Sequence, residues 1–147
     1  MNTNDEVLMQ NARFYEAFEQ KDLNVIDQVW SHADYVKCVH PGWTVLVGWN
    51  DVRQSWTTIF ANATNMKFSL RNVRADVFGT IATIVLEEEV TYASGAMRQT
   101  HSVMATNIFQ HDGTTWRMIH HHGSHILGID QSTPGSEKED QDRFRYN

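Results

Sequence analysis

Thr80-Ile81-Ala82-Thr83-Ile84-Val85-Leu86-Glu87-Glu88-Glu89-Val90-Thr91-Tyr92-Ala93 is the stretch whose reading decides the fold. Side chains on a strand alternate between two faces. One set, Ala82, Ile84, Leu86, Glu88, Val90 and Tyr92, is apolar apart from Glu88, whereas the other contains Thr83, Glu87, Glu89 and Thr91. This alternation predicts a long strand with one face on a core, and it puts the Glu88 carboxylate on the core side. Helical periodicity is absent from Met66 onward. Three further β-prone segments flank the first: Met66 to Phe78, Ala96 to Gln110 and Trp116 to Ser124. Gly79, Ser94-Gly95 and Asp112-Gly113 punctuate them as hairpin turns.

Upstream the pattern is helical. Thr3-Asn4-Asp5-Glu6 has the spacing of a capping box, followed by Val7, Leu8, Ala12, Phe14, Tyr15 and Phe18 at helical intervals. Asp22 can cap a second helix with Leu23, Ile26, Val29 and Trp30 on one stripe. Tyr35 to His40 and Thr44 to Val47 read as short strands about the Pro41-Gly42 turn. Asn50 or Asp51 then caps a third helix that turns Val52, Trp56, Ile59 and Phe60 to one side. Helices first and meander last make an α+β chain. Strands this long must bend to wrap a core, so a strongly curved sheet closing over three helices, with a pocket inside, is expected. The organisation is one domain over residues 1–129, with a polar tail over 130–147 that lacks apolar periodicity and is expected to be flexible.

The 147 residues suffice to bury about two thirds of the unfolded surface without metal or disulfide staples. Lys plus Arg number 12 against 18 Asp plus Glu, and the basic residues are scattered, which argues against nucleic acid as a partner. A lone Cys38 precludes an internal disulfide, the start is polar and acidic, and no apolar run has the length of a membrane span. A cytoplasmic location without membrane association is the expectation.

Register locates the candidate site. If Ser94-Gly95 is a two-residue turn, Leu86 pairs with Val103 and Glu88 lies opposite His101. Asn107 shares that face. An even loop at Asp112-Gly113 then brings Trp116, Met118, His120 and His122 to the same wall and turns Arg117, Ile119 and His121 away, an assignment that a bulge would break. A carboxylate in an apolar hollow is pushed toward neutrality by desolvation, which suits a general acid or base. The expected catalytic groups are Glu88 as base, His101 tuning it, and His122 or Asn107 donating to a developing oxyanion. Tyr15, His40, Trp43, Trp56, Phe60, Asn107 and His120 are expected to line the pocket, and no cofactor is expected.

Plainer readings stand beside these. A Glu opposite a His can be a buried structural pair sealing one end of the barrel. His120 and His122 at i and i+2 could instead hold a divalent metal with His101 or Glu88, making a metal-dependent hydrolase. His40 suits a turn position, the aromatic residues suit core packing, and Cys38 suits a small buried hydrophobe.

Val39-His40-Pro41-Gly42-Trp43, Gly48 before a helix with Trp56 and Phe60, Ala105-Thr106-Asn107-Ile108-Phe109, Asp112-Gly113 and Trp116 to Ser124 occur in an order that resembles the SnoaL-like family of the nuclear transport factor 2-like superfamily. The resemblance runs from about Val7 to Ile126. It implies a cone-shaped α+β barrel with a deep apolar pocket, dimerised through the outer sheet face near Arg117, Ile119 and His121. It further implies a small apolar molecule as partner, bound for isomerisation, cyclisation or hydrolysis, or a non-catalytic ligand-binding or association module. Fold alone does not choose among these.

Overall fold

A computed structural model describes residues 2–127. The tail expected from residue 130 onward lies outside the described residues. Three helices, α1 (Thr3–Gln20), α2 (Leu23–Val29) and α3 (Trp49–Asn62), pack in the hollow of a six-stranded sheet. Its strands are β1 (Lys37–Val39), β2 (Leu46–Val47), β3 (Asn65–Phe78), β4 (Ile81–Ser94), β5 (Met97–His111) and β6 (Trp116–His125), in the order β2-β1-β6-β5-β4-β3. Among the described residues only the β1 and β6 strands pair in parallel; the other neighbouring strands are antiparallel.

The helix starts show where local chemistry prevailed. Asn2, one residue before the capping box, caps α1 by accepting from the Asp5 N–H at 2.9 Å, consistent with the strong N-cap preference of asparagine. Asp22 caps α2 as expected, accepting from Val25 N–H. α3 begins earlier than Asn50 or Asp51 predicted. Gly48, at φ +90°, turns the chain out of β2 directly into Trp49, a conformation that disfavours side chains with a Cβ.

The core is continuous between helices and sheet. Phe14 of α1, Trp30 beyond α2 and Trp56 of α3 are fully buried against Ile84, Leu86, Phe109 and Met118. Burial alternates strictly along β4 from Ile81 to Val90, as the sequence pattern required. Among the described residues no helix is long and apolar enough to cross a membrane.

Two departures from simple alternation shape the site. The β4–β5 turn is Gly95-Ala96, since Ser94 pairs with Met97. The ladder is therefore offset by two residues from expectation: Glu88 faces Val103, and His101 faces Val90. A two-residue offset preserves parity, so all remain on the inner face. On β6 the loop is indeed even, with His111 paired to Trp116. Ile119, however, is an extra residue between Phe109↔Met118 and Ile108↔His120. This bulge inverts every facing beyond it.

Candidate functional site

His121, expected outside near a dimer face, points into the core opposite Asn107 and is 2% exposed. His120 and His122, expected inside, lie on the outer face; His120 is half-buried and His122 exposed. The Ile119 bulge is the physical reason. It also separates the suggested metal ligands, His120 and His122, from Glu88 and His101. Among the described residues no three His, Cys, Asp or Glu side chains are placed to share a metal ion.

The inner wall of β4, β5 and β6 meets α1 in a hydrogen-bonded chain. Tyr15 Oη donates to Glu88 Oε2 at 2.5 Å. Asn107 Nδ2 donates to Tyr15 Oη at 3.1 Å and to Asn11 Oδ1 at 2.9 Å. His121 Nδ1 stands 2.6 Å from Asn107 Oδ1. With both Asn107 N–H groups donating, its oxygen must accept, so His121 carries its hydrogen on Nδ1. Asn11 and Tyr15 reach this chain because both project from the buried side of α1. Asn11, at helical spacing from Phe14 and Tyr15, could have been singled out as a polar residue on an apolar stripe.

Burial sets the charge states. Glu88 is 4% exposed, and desolvation raises its pKa to about 7 against the opposing pull of the Tyr15 hydrogen bond. Tyr15 is held well above its ordinary value by burial and then by the Glu88 charge, so it stays a neutral donor. Burial, with smaller contributions from the neighbouring histidines, drives His121 well below its ordinary value and keeps it neutral.

Above this chain opens a cavity of about 390 Å³. Glu88 and His121 line its inner end, and Phe18, Ile59, Met66, Phe68, Val90 and Val103 supply apolar walls. His40, Pro41 and Trp43 form one side, with Trp43 44% exposed. His101, Tyr92 and His125 complete the lining; His101 and His125 are exposed, with ring centroids 6.3 Å apart. His101 thus lies on the cavity as expected but not opposite Glu88.

The other expected pocket residues divide. His40 lines the cavity, is buried, and bonds Ser55 Oγ through Nε2 at 2.8 Å; desolvation lowers its pKa to about 4. Ser55 in turn donates to the Val52 carbonyl oxygen at 2.6 Å, which leaves it no hydrogen for His40. Cys38 is buried beside His40, and burial pushes its thiol up, away from thiolate reactivity. Trp56 is fully buried behind the lining, edge-on to His40, and Phe60 packs against Trp56. Tyr15 and Asn107 also sit behind the cavity surface, and both Asn107 N–H groups are taken, so it has none free for an oxyanion.

The profile of the SnoaL-like domain matches residues 7–128. A solved structure from Streptomyces avermitilis, put forward as a dehydratase of the NTF2-like family, is 30% identical; the match covers 84% of this chain and 96% of that one, with a TM-score of 0.80. A calcium/calmodulin-dependent protein kinase type II association domain assigned in Thiobacillus denitrificans is 26% identical over 80% of this chain and 93% of that one, with a TM-score of 0.73. Among curated proteins, the F-box protein SKIP8 of Arabidopsis thaliana is 27% identical over 129 residues, 88% of this chain; the chain spans about half the length of that relative (53%). With its helices inside a curved sheet, its apolar cavity and a family match over nearly the whole described length, this chain belongs to the SnoaL-like family of the nuclear transport factor 2-like superfamily.

Proposed function

We propose that this protein is an acid–base enzyme in which Glu88 moves a proton on a compact, carbonyl-bearing apolar ligand held in the cavity. One observation carries this reading. Glu88 is a buried carboxyl with one oxygen tied to Tyr15 and the other unbonded among the described residues, on the surface of an apolar cavity, with a pKa of about 7. A group with that pKa exists in both protonation states at neutral pH, as proton abstraction and redelivery require.

Among the described residues Tyr15 and Asn107 are already committed and do not replace the oxyanion donors expected from sequence, and the Tyr92 hydroxyl on the lining lies two inward positions along β4 from Glu88. Chemistry at this site therefore suits a carbon acid already activated by its own substituents. Loss of water follows from the same group: the ionised Glu88 carboxylate takes the proton from carbon and, now protonated, delivers it to the departing hydroxyl, so that water leaves and the carboxylate is restored. The likeness to the Streptomyces avermitilis structure put forward as a dehydratase supports this extension.

The test does not need the natural substrate. Deuterium exchange of the benzylic α-protons of 2-tetralone in D₂O, followed by NMR, is expected to be accelerated by the wild-type chain. Glu88→Gln should lose about 10²–10⁴-fold of that acceleration. Equal exchange with the variant, or none with either protein, would reject the reading.

A second reading is self-association through the outer face of the sheet, as homodimer or association module. It is supported by the outward placement of Val85, Met104 and Ile108, with Met104 37% exposed, and by the likeness to the association domain from Thiobacillus denitrificans. His120 and His122, rather than His121, then lie at that face. Sedimentation velocity of Met104→Glu against wild type tests it: a shift from dimer to monomer is expected, and a monomeric wild type would reject it.

A further inference from the structure

The inner end of the cavity presents lone pairs. His121 Nδ1–H is spent on Asn107 Oδ1, and burial keeps the ring neutral, so Nε2 is a bare acceptor on a residue that lines the cavity, with no hydrogen bond among the described residues. Glu88 Oε2 accepts from Tyr15, while Oε1 makes no hydrogen bond among the described residues. Both residues line the cavity. The donors behind this pair, the Tyr15 hydroxyl and the two Asn107 N–H groups, are turned into the protein, and the Tyr92 hydroxyl lines the cavity farther along β4.

The walls narrow the choice further. Among the described residues no Lys or Arg lines the cavity, so an anion directed inward would meet Glu88 with no cation beside it there. An ammonium would shed its hydration between Phe18, Phe68, Val90 and Val103 for a single carboxylate. A volume of about 390 Å³ lies at the small end of the range of roughly 300–1,000 Å³ for small-molecule sites. One or two fused rings fit such a space.

We infer that the inner end of this cavity selects a compact, uncharged ring bearing a hydroxyl, a phenol or ring-bound enol, which donates its one hydrogen to Glu88 Oε1, the acceptor that carries charge, with His121 Nε2 lining the same end. This deepens the proton-transfer reading of the same site, since the enol of an activated carbonyl compound is such a molecule. A carbonyl oxygen turned to this end would set lone pair against lone pair, so a keto ligand presents its α-carbon, and not its oxygen, to Glu88.

The test is calorimetric titration of the wild-type chain at about pH 8, above the Glu88 midpoint of about 7. The probes are 2-naphthol, naphthalene, 2-methoxynaphthalene and the cation 2-aminotetralin. 2-Naphthol is expected to bind at least about tenfold more tightly than each of the other three, the size of one hydrogen bond to a charged acceptor. Glu88→Gln should weaken 2-naphthol several-fold and leave naphthalene unchanged, a control that the cavity is intact. Equal binding of 2-naphthol and naphthalene, tighter binding of 2-aminotetralin, or binding of none of the four would overturn the inference. Hydroxyl preference without 2-tetralone exchange would retain this inference and reject the catalytic reading; exchange without hydroxyl preference would do the reverse.

Discussion

His121 and His122 are neighbours on one strand, yet one is buried in a hydrogen-bonded chain and the other is exposed on the opposite face. The residue type is the same; a single bulged Ile119 decides which imidazole meets the cavity. The outer face carries two imidazoles, of which His120 has its pKa lowered by partial burial, then by His122 and Lys37. On the inner face the buried imidazole, His121, has its tautomer set by Asn107, while His101 and His125 stand at the exposed part of the lining. Function on a curved sheet thus depends on ladder irregularities as much as on composition.

The comparison predicts unequal responses to equal truncations. His121→Ala should destabilise the fold by roughly 3–4 kcal/mol, by opening a cavity and leaving Asn107 Oδ1 unpaired. Urea unfolding measures it. If His121→Ala and His122→Ala cost the same, the two faces are not distinct in the way described.

Next in size is a pH effect confined to the inner face. Glu88 has a folded pKa of about 7 against an ordinary value of 4.5, so the folded chain holds a proton there that the unfolded chain releases. Its contribution is fully present below about pH 4.5 and is lost as pH rises through 7, about 3 kcal/mol in all. His40 and His121 act oppositely: their lowered folded pKa values withdraw stability as pH falls below their ordinary value of 6.5. The wild-type pH profile minus that of Glu88→Gln isolates the carboxyl. A flat difference between pH 4.5 and 7.5 would contradict the assignment.

Asn107→Leu should cost roughly 2 kcal/mol, since it strands the His121 Nδ1–H and removes a donor to Tyr15. Its sharper signature is spectroscopic: the His121 ring should lose its fixed Nδ1–H tautomer in ¹⁵N NMR. Unchanged ring shifts would mean that Asn107 does not orient His121. Smallest of all, His122→Ala should change stability by less than about 0.5 kcal/mol.

Much of this arrangement was legible in the sequence, for identifiable reasons. The helices-then-meander order and the inward Glu88 follow from hydrophobic periodicity, which both the turn at Gly95-Ala96 and the two-residue offset leave intact. The strand ends fall within one residue of expectation in β3 to β6 because Gly79, Gly95 and Gly113 mark the turns. The bulge at Ile119 has no such mark: Arg117, Ile119 and His121 alternate as a regular strand would, and only the ladder with β5 reveals the extra residue. Tyr15 could be read as an inward helix residue, but its bond to Glu88 joins residues 73 apart in the chain, which spacing does not report. The Asn11, Asn107 and His121 links are hidden for the same reason.

The central claim is that Glu88 is a desolvated carboxyl that titrates near neutrality at the cavity surface. ¹³C NMR of the Glu88 side-chain carboxyl across a pH titration, assigned by its absence in Glu88→Gln, tests it directly. A midpoint near 7 is predicted; a midpoint near the ordinary 4.5 would contradict the account.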